Sequence, residues 1–101
     1  MTRTKTRPFD VAEHLDSPET IAAYLNEAFE TGDISFMLAA LRDVARARGM
    51  TAVAKQTGFA REALYRALNK DGNPEFATIM SVIAAFGLRL NVHPHDGKRG
   101  S

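Results

Sequence analysis

Apolar residues recur every three or four positions over much of the chain, which is the spacing of amphipathic helices. Ser17 followed by Pro18 predicts the start of a first helix, and Gly32 predicts its end. Asp33 predicts the cap of a second helix, which Gly49 ends. We expect these two helices to bury one stripe each: Ile21, Tyr24, Leu25, Ala28 and Phe29 in the first, and Ile34, Met37, Leu38, Leu41, Val44 and Ala45 in the second.

Three shorter helices follow in the second half of the chain. The pattern predicts helices over 51–57 and 61–69, separated by only three residues. A last helix is predicted with Asn73 as its cap and Pro74 at its first position, ending at Gly87. Its inward residues are expected to be Phe76, Ile79, Met80, Ile83 and Phe86.

Residues 88–93 alternate apolar and polar side chains, which predicts a β-strand. A single strand of this length needs a partner, which is the segment around Phe9, a second copy of the strand, or another protein. The length of 101 residues fits one domain, which we place at 9–95. A flexible basic tail is predicted before it at 1–8, and a polar tail after it at 96–101.

Composition narrows the class of protein without naming a function. The chain has no cysteine, no apolar run of membrane length and no secretory signal pattern, so we expect a cytoplasmic protein. The formal net charge is +1, which taken alone argues against a protein that binds nucleic acid strongly.

The near-neutral total hides an uneven distribution of charge. Residues 10–40 contain seven acidic residues and no Lys or Arg, whereas residues 41–72 contain seven basic residues against three acidic ones. This asymmetry suggests two partners of opposite charge. The alternative is two solvated surfaces of unlike composition, with no partner attached to either.

Residues 51–69 have the layout of a helix-turn-helix. Ala54 is small where the two helices would touch, Gly58 suits the tight turn, and Phe59 would fill the core behind it. Val53, Leu64 and Leu68 are expected to face inward. The second helix then presents an outward face that could read DNA: Arg61, Glu62, Tyr65, Arg66 and Asn69. The alternative is a helical hairpin with solvated arginines, in which Tyr65 packs against the first helix.

This region, followed by Gly-Asn-Pro-Glu-Phe-Ala-Thr-Ile at 72–79 and Gly-Leu-Arg-Leu at 87–90, resembles the HigA-like addiction-module antidote proteins. The likeness extends upstream through Phe-Asp at 9–10, Tyr-Leu-Asn-Glu-Ala at 24–28 and Ala-Arg-Ala-Arg-Gly-Met at 45–50. It implies a mainly all-α fold. The expected architecture is a λ-repressor-like helix-turn-helix domain of five to six helices with a short C-terminal β-strand.

The resemblance also implies a bacterial antitoxin with an Xre/Cro-like DNA-binding domain. Its expected partners are a toxin of the RelE/ParE superfamily and the operator DNA of their shared operon. Thr51 and Lys70 become candidate phosphate contacts beside the DNA-reading face. One departure is visible, because this chain has Ala60 where the family usually has a serine. Without that serine, the second helix of the pair lacks a cap that contributes about 1 kcal/mol to helix stability.

The acidic third of the chain is the candidate toxin-binding surface, since toxins of this class are generally basic. The residues expected to carry the contact are Phe9, Asp10, Glu13, Asp16, Glu27 and Glu30. The alternative is an acidic helix that only keeps the protein in solution.

No arrangement of residues points to catalysis, to a cofactor or to a metal ion, and His93 and His95 lack a carboxylate cluster at ligand spacing. We therefore expect a binding protein and not an enzyme. Two other functions stay open, namely a stand-alone Xre-like repressor and a protein-interaction module without DNA binding. A homodimer is expected, since repressors of this kind read two half-sites about 34 Å apart.

Overall fold

A computed structural model of the chain describes residues 15–95. It contains five helices in the order α1 (Pro18–Glu30), α2 (Ile34–Arg48), α3 (Met50–Thr57), α4 (Arg61–Ala67) and α5 (Phe76–Ala85). No strand is present within residues 15–95, so the predicted, mainly helical fold class is confirmed for this part of the chain. None of these helices is long and apolar enough to cross a membrane.

Side-chain caps define the starts of the two longest helices, as the sequence predicted. The Ser17 hydroxyl accepts a hydrogen bond from the Thr20 N–H, and the Thr20 hydroxyl accepts one from the Ser17 N–H, each at 3.2 Å. This capping box satisfies amides that the first turn of α1 leaves without a partner. In α2, the Asp33 carboxylate accepts a hydrogen bond from the Phe36 N–H at 3.3 Å.

One hydrophobic core joins all five helices. α1 packs on α2, and α3 packs on α2, α4 and α5. The largest side chains that are fully removed from water come from every helix or from the turns that end them: Ile21, Leu41, Val44, Val53, Leu64, Leu68, Val82 and Phe86. Burial of these side chains is the main stabilising term for a domain of this size.

Three residues predicted to face inward do not. Ile34 is 66% exposed and Phe76 is 69% exposed. Both open a helix, one turn before the first side chain of that helix that reaches the core. Met80 is 42% exposed. The inward stripe of α5 is instead made by Ile79, Val82, Ile83 and Phe86.

The predicted start of α5 was also wrong. The helix begins at Phe76, and Glu75 takes the cap position with an extended backbone and no side-chain hydrogen bond to the helix. Asn73 and Pro74 lie in the preceding loop. The extended backbone of Glu75 interrupts the helix that a cap at Asn73 would have begun.

The predicted strand at 88–93 is not confirmed. Residues 88–95 carry no regular secondary structure. Leu88 and Leu90 pack against the core and are half-buried, whereas Val92 is 92% exposed. A strand exists only when another strand completes its hydrogen bonds, and no described segment lies alongside to do so.

Candidate functional site

α3 and α4 are joined by a turn that only a few backbone conformations allow. Gly58 has φ of +83° and lies in the left-handed region, and its N–H donates to the carbonyl of Ala54 at 2.8 Å. A side chain at this position would be strained, because L-residues with a Cβ rarely adopt this φ. The glycine therefore sets the angle at which the chain leaves α3.

Thr57 fixes the same turn from its other side. Its hydroxyl donates to the carbonyl of Val53 at 2.8 Å and accepts a hydrogen bond from the Phe59 N–H at 3.3 Å. Phe59 is half-buried and packs against the core, as predicted. This role of Thr57 was not predicted, although Ser and Thr commonly form such local bonds at turns.

Burial decides which face of α4 points outward. Leu64 and Leu68 have no exposed surface, and Val53 on α3 is 1% exposed. These are the residues predicted to face inward. Because α4 has only seven residues, its orientation depends on this packing and not on its own helix propensity.

The outward face of α4 holds four of the seven residues predicted to contact DNA. Arg61, Glu62, Tyr65 and Arg66 are all exposed. The Arg61 guanidinium lies over the Tyr65 ring at 5.8 Å from its centre, a cation–π distance. Tyr65 is 39% exposed, so its ring remains on the surface. The face thus offers two guanidinium groups, a phenol and one carboxylate.

The other three predicted residues lie on neighbouring elements. Thr51 is exposed in the first turn of α3. Asn69 lies beyond the end of α4 at Ala67, and its side-chain oxygen accepts a hydrogen bond from the Asp71 N–H at 2.8 Å. The prediction that Asn69 belongs to the outward face of this helix was wrong, because the helix stops two residues earlier.

The loop after α4 is held close to the first half of the molecule. The Ser35 hydroxyl on α2 donates to the backbone carbonyl of Lys70 at 3.0 Å, while the Lys70 side chain stays exposed. Gly72 lies so near the end of α4 that a Cβ would come within 2.9 Å of the carbonyl oxygens of Arg66 and Asn69. The Ser35 contact and the need for glycine at 72 were not predicted, since both depend on long-range packing.

Half of the predicted acidic surface can be located. Phe9, Asp10 and Glu13 lie outside the described residues. Asp16, just before α1, and Glu27 and Glu30 in its last turns are exposed. Residues three apart share one side of a helix, so Glu27 and Glu30 form a pair on α1.

α1 is tied to α2 by one polar contact. The Tyr24 hydroxyl donates to the Asp43 carboxylate at 2.7 Å, and both side chains are half-buried. Burial, together with this hydrogen bond and the charge of Asp43, raises the pKa of the Tyr24 hydroxyl well above its ordinary value. The tyrosine therefore stays a neutral donor over the physiological range.

A groove runs between α1 and residues 88–95. Its α1 side includes Leu25, Phe29 and Glu30, and its other side includes Leu88 and Leu90. Two exposed histidines, His93 and His95, stand at one end. Within the described part of the chain, no three His, Asp or Glu side chains are grouped as ligands for a metal ion.

Comparison with known proteins places the chain in a family. The family described as "probable addiction module antidote protein" matches residues 5–94, and the chain belongs to it. An uncharacterized protein of Haemophilus influenzae is 50% identical over 86 residues, which cover 85% of this chain and 89% of that protein. No solved structure matches the chain significantly.

Proposed function

We propose that this protein is the antidote of a toxin–antitoxin pair, in which it neutralises a basic toxin of the RelE/ParE type. We propose further that it represses their shared operon by binding operator DNA. Family membership supports a toxin partner of some kind. The identity of that toxin and the binding of DNA are our own inferences from the residues described above.

The outward face of α4 carries the DNA-binding proposal. Leu64 and Leu68 hold one side of the helix in the core, and Arg61 and Arg66 are exposed on the other side. Arginine forks suit both phosphate oxygens and guanine edges, and a helix of this width enters a major groove. In this proposal α3 and α4 are the helix-turn-helix, with Thr51 and Lys70 as flanking phosphate contacts.

The exposed acidic residues of α1 and of the segment just before it are the proposed contact for the toxin. Asp16, Glu27 and Glu30 are exposed and oppose the charge expected of a protein that handles RNA. Complementary charge of this kind accelerates encounter and excludes wrong partners. Phe9, Asp10 and Glu13, which lie outside the described residues, belong to the same proposed contact.

One observation favours a second function, a protein-interaction module that has lost DNA binding. Ala60 precedes α4 and makes no side-chain hydrogen bond to its first turn. The reading helix therefore begins without the cap and the hydroxyl that a serine would supply. A stand-alone repressor without a toxin is the remaining alternative, and the identity of the neighbouring gene distinguishes it from an antidote.

Fluorescence anisotropy on the DNA upstream of its own gene tests the main proposal. We expect tight, salt-dependent binding of the wild type, and a loss of about tenfold or more in affinity for Arg61→Ala/Arg66→Ala. The slope of log affinity against log salt should fall by about two units if both arginines contact phosphates. Arg46→Ala/Arg48→Ala, which removes the same charge from exposed positions on α2, is the matched control.

Equal losses in the two double variants would show that only net charge matters, and would reject a reading face on α4. No preference of the wild type for its upstream DNA over random DNA would favour the interaction module. Co-expression with the adjacent gene tests the other half of the proposal, because an antidote must restore growth and co-purify with that product.

A further inference from the structure

The turn between α1 and α2 exposes two large apolar side chains. Ile34 is 66% exposed and Phe36 is 53% exposed, and both lie in the first turn of α2. Every residue from 30 to 36 is exposed, so these side chains belong to a continuous stretch of open surface. Large apolar side chains grouped on a surface typically mark a place where another molecule binds. We call residues 27–36 the α1–α2 corner.

Side-chain hydrogen bonds restrain the α1–α2 corner. The Thr31 hydroxyl donates to the carbonyl of Ala28 at 2.6 Å and accepts a hydrogen bond from the Asp33 N–H at 3.0 Å. The Asp33 carboxylate caps α2. Ser35, which lies between the two apolar residues in the sequence, donates to the carbonyl of Lys70 at 3.0 Å. A backbone that is already restrained loses less entropy when a partner binds.

The two apolar side chains lean toward the same end of α2. Ile34 and Phe36 are two positions apart, so they leave the helix on different sides. Helical side chains also tilt toward the N-terminus of their helix, and both residues lie in its first turn. Both side chains therefore lean toward the turn, and a partner seated on this end of the helix would cover them together.

The charge around the α1–α2 corner is negative. Glu27 and Glu30 on α1 and Asp33 in the turn are all exposed, and residues 10–40 contain no Lys or Arg. Lys70 meets the corner through its backbone carbonyl, and its exposed ammonium is outnumbered by three carboxylates. An apolar centre with a polar rim is the usual construction of a protein interface, and an acidic rim selects a basic partner.

We propose that the toxin binds this protein at the α1–α2 corner, with Ile34 and Phe36 as apolar anchors and the neighbouring carboxylates facing basic residues of the toxin. This inference rests on the proposed function, which places a basic toxin on the acidic residues of α1. It adds the start of α2 to that contact. Anchors buried in an interface mainly slow dissociation, whereas charges at its rim mainly speed association.

Two other occupants compete for the same corner. A second copy that pairs corner to corner would bring carboxylates against carboxylates, which is unfavourable. Residues 1–9 of this chain carry three basic residues and no acidic one, and they lie outside the described residues. They precede α1, whose 13 residues span about 20 Å, whereas the corner follows it. Opposite charge without that span favours the toxin.

Binding to the product of the adjacent gene, measured by biolayer interferometry, tests the anchors. We expect Ile34→Ala/Phe36→Ala to weaken the complex by about tenfold or more, mainly through faster dissociation. Phe76→Ala/Met80→Ala removes two exposed apolar side chains from α5 and is the matched control, which should bind like the wild type. Wild-type affinity in Ile34→Ala/Phe36→Ala, or equal losses in the two double variants, would overturn the proposal.

The same measurement separates this inference from the proposed function. If the wild type does not bind the product of the adjacent gene, the proposed function fails and this inference fails with it. If binding depends on Glu27 and Glu30 but not on Ile34 and Phe36, only this inference fails. Thermal melting of Ile34→Ala/Phe36→Ala should stay close to that of the wild type, because both side chains are mostly exposed.

A single cysteine identifies the occupant of the corner, since the chain has no cysteine of its own. Ile34→Cys should react readily with a thiol reagent in the free protein and about tenfold or more slowly in the complex, because burial limits access to the thiol. Phe76→Cys should react alike in both. Ile34→Cys also decides the question if Ile34→Ala/Phe36→Ala does not fold.

Three results of this labelling would overturn the proposal. The first is an Ile34→Cys thiol that stays reactive in a stable complex. The second is protection in the free protein that rises with its concentration, which would assign the corner to a second copy. The third is protection in the free protein at every concentration, which would assign the corner to the N-terminal segment of the same chain.

Discussion

α1 and α4 both expose a charged face, but they are held in the molecule in different ways. α1 has 13 residues, a capping box at Ser17 and proline in its first turn. α4 has seven residues and no side-chain cap. α1 is therefore supported by its own sequence, whereas α4 depends on the side chains that it buries.

The difference matters for evolution of the two surfaces. The residues that anchor α4, Leu64 and Leu68, are fully buried, while Arg61 and Arg66 are exposed. Substitutions on the outward face are therefore expected to change the proposed recognition of DNA at little cost to the fold. On α1, Glu27 and Glu30 lie near the C-terminal end, where the helix dipole is negative and disfavours carboxylates. Helix stability therefore does not explain why they are there.

The largest effect is expected from the anchor of α4. Leu64→Ala should destabilise the domain by about 2–5 kcal/mol, because the side chain is fully buried and its removal leaves a cavity. A domain of this size has little stability in reserve, so the variant should be partly unfolded at 37 °C. Urea denaturation followed by circular dichroism measures the change.

Tyr65→Ala is the matched control, since it alters the next residue on the exposed side of the same helix. We expect it to change stability by less than about 1 kcal/mol while weakening DNA binding. Similar destabilisation by the two variants would show that α4 does not depend on its buried side in the way we describe.

The hydrogen bond between α1 and α2 should give the next largest effect on stability. Tyr24→Phe removes the hydrogen bond to Asp43, and loss of a bond to a carboxylate costs about 1.5–3 kcal/mol. Since the folded protein raises the pKa of Tyr24 above the ordinary value of 10.0, this contribution is complete below pH 10 and declines as pH rises further. Unfolding of both proteins from pH 7 to 11 measures it.

The stability margin of the wild type over Tyr24→Phe should be constant from pH 7 to 9 and shrink above pH 10. Asp43→Asn keeps an acceptor for the Tyr24 hydroxyl but removes the charge. Its free energy of unfolding should lie between those of the wild type and Tyr24→Phe. A margin that does not change with pH would mean that the Tyr24 hydroxyl titrates alike in the folded and unfolded chains.

The acidic pair on α1 should affect rate more than stability. Glu27→Lys/Glu30→Lys should slow association with the toxin about tenfold at low salt, because long-range attraction becomes repulsion. Asp71→Lys/Glu75→Lys makes the same change of charge outside α1 and serves as the control. Stopped-flow fluorescence measures the rate, and equal slowing by both variants would argue against a surface localised on α1.

The sequence predicted helix boundaries best where local chemistry sets them. Ser17 and Asp33 act as caps in the structure, as their side chains and the following residues indicated. The predicted start of α5 was wrong because Pro74 suits a loop as well as a first helical turn. The outward placement of Phe76 could not be predicted, since periodicity does not show where a core ends.

In the candidate site too, features set by local sequence were predicted and features set by distant contacts were not. Helical spacing alone identified the outward face of α4, with Arg61 and Arg66 on it. Asn69 was predicted to lie on α4, but the helix ends two residues earlier. Where it ends depends on the loop that follows, in which Gly72 approaches the carbonyl of Arg66. The bond from Ser35 to Lys70 joins residues 35 positions apart, which no local pattern reports.

Changes at the helix caps should have the smallest effect on stability. They also give the most direct test of the comparison between α1 and α4. Ala60→Ser should stabilise the domain by about 1 kcal/mol, because Ala60 has the extended backbone of a cap residue and only the hydroxyl is missing. Ser17→Ala should destabilise it by a similar amount. Ala60→Val, which supplies no hydroxyl and is as poor a cap residue as alanine, is the control for the first change. If Ala60→Ser also tightens DNA binding, the weak start of α4 limits recognition. If stability rises and affinity does not, then packing by Leu64 and Leu68 already holds the helix in its reading position, and the missing serine matters only to the fold.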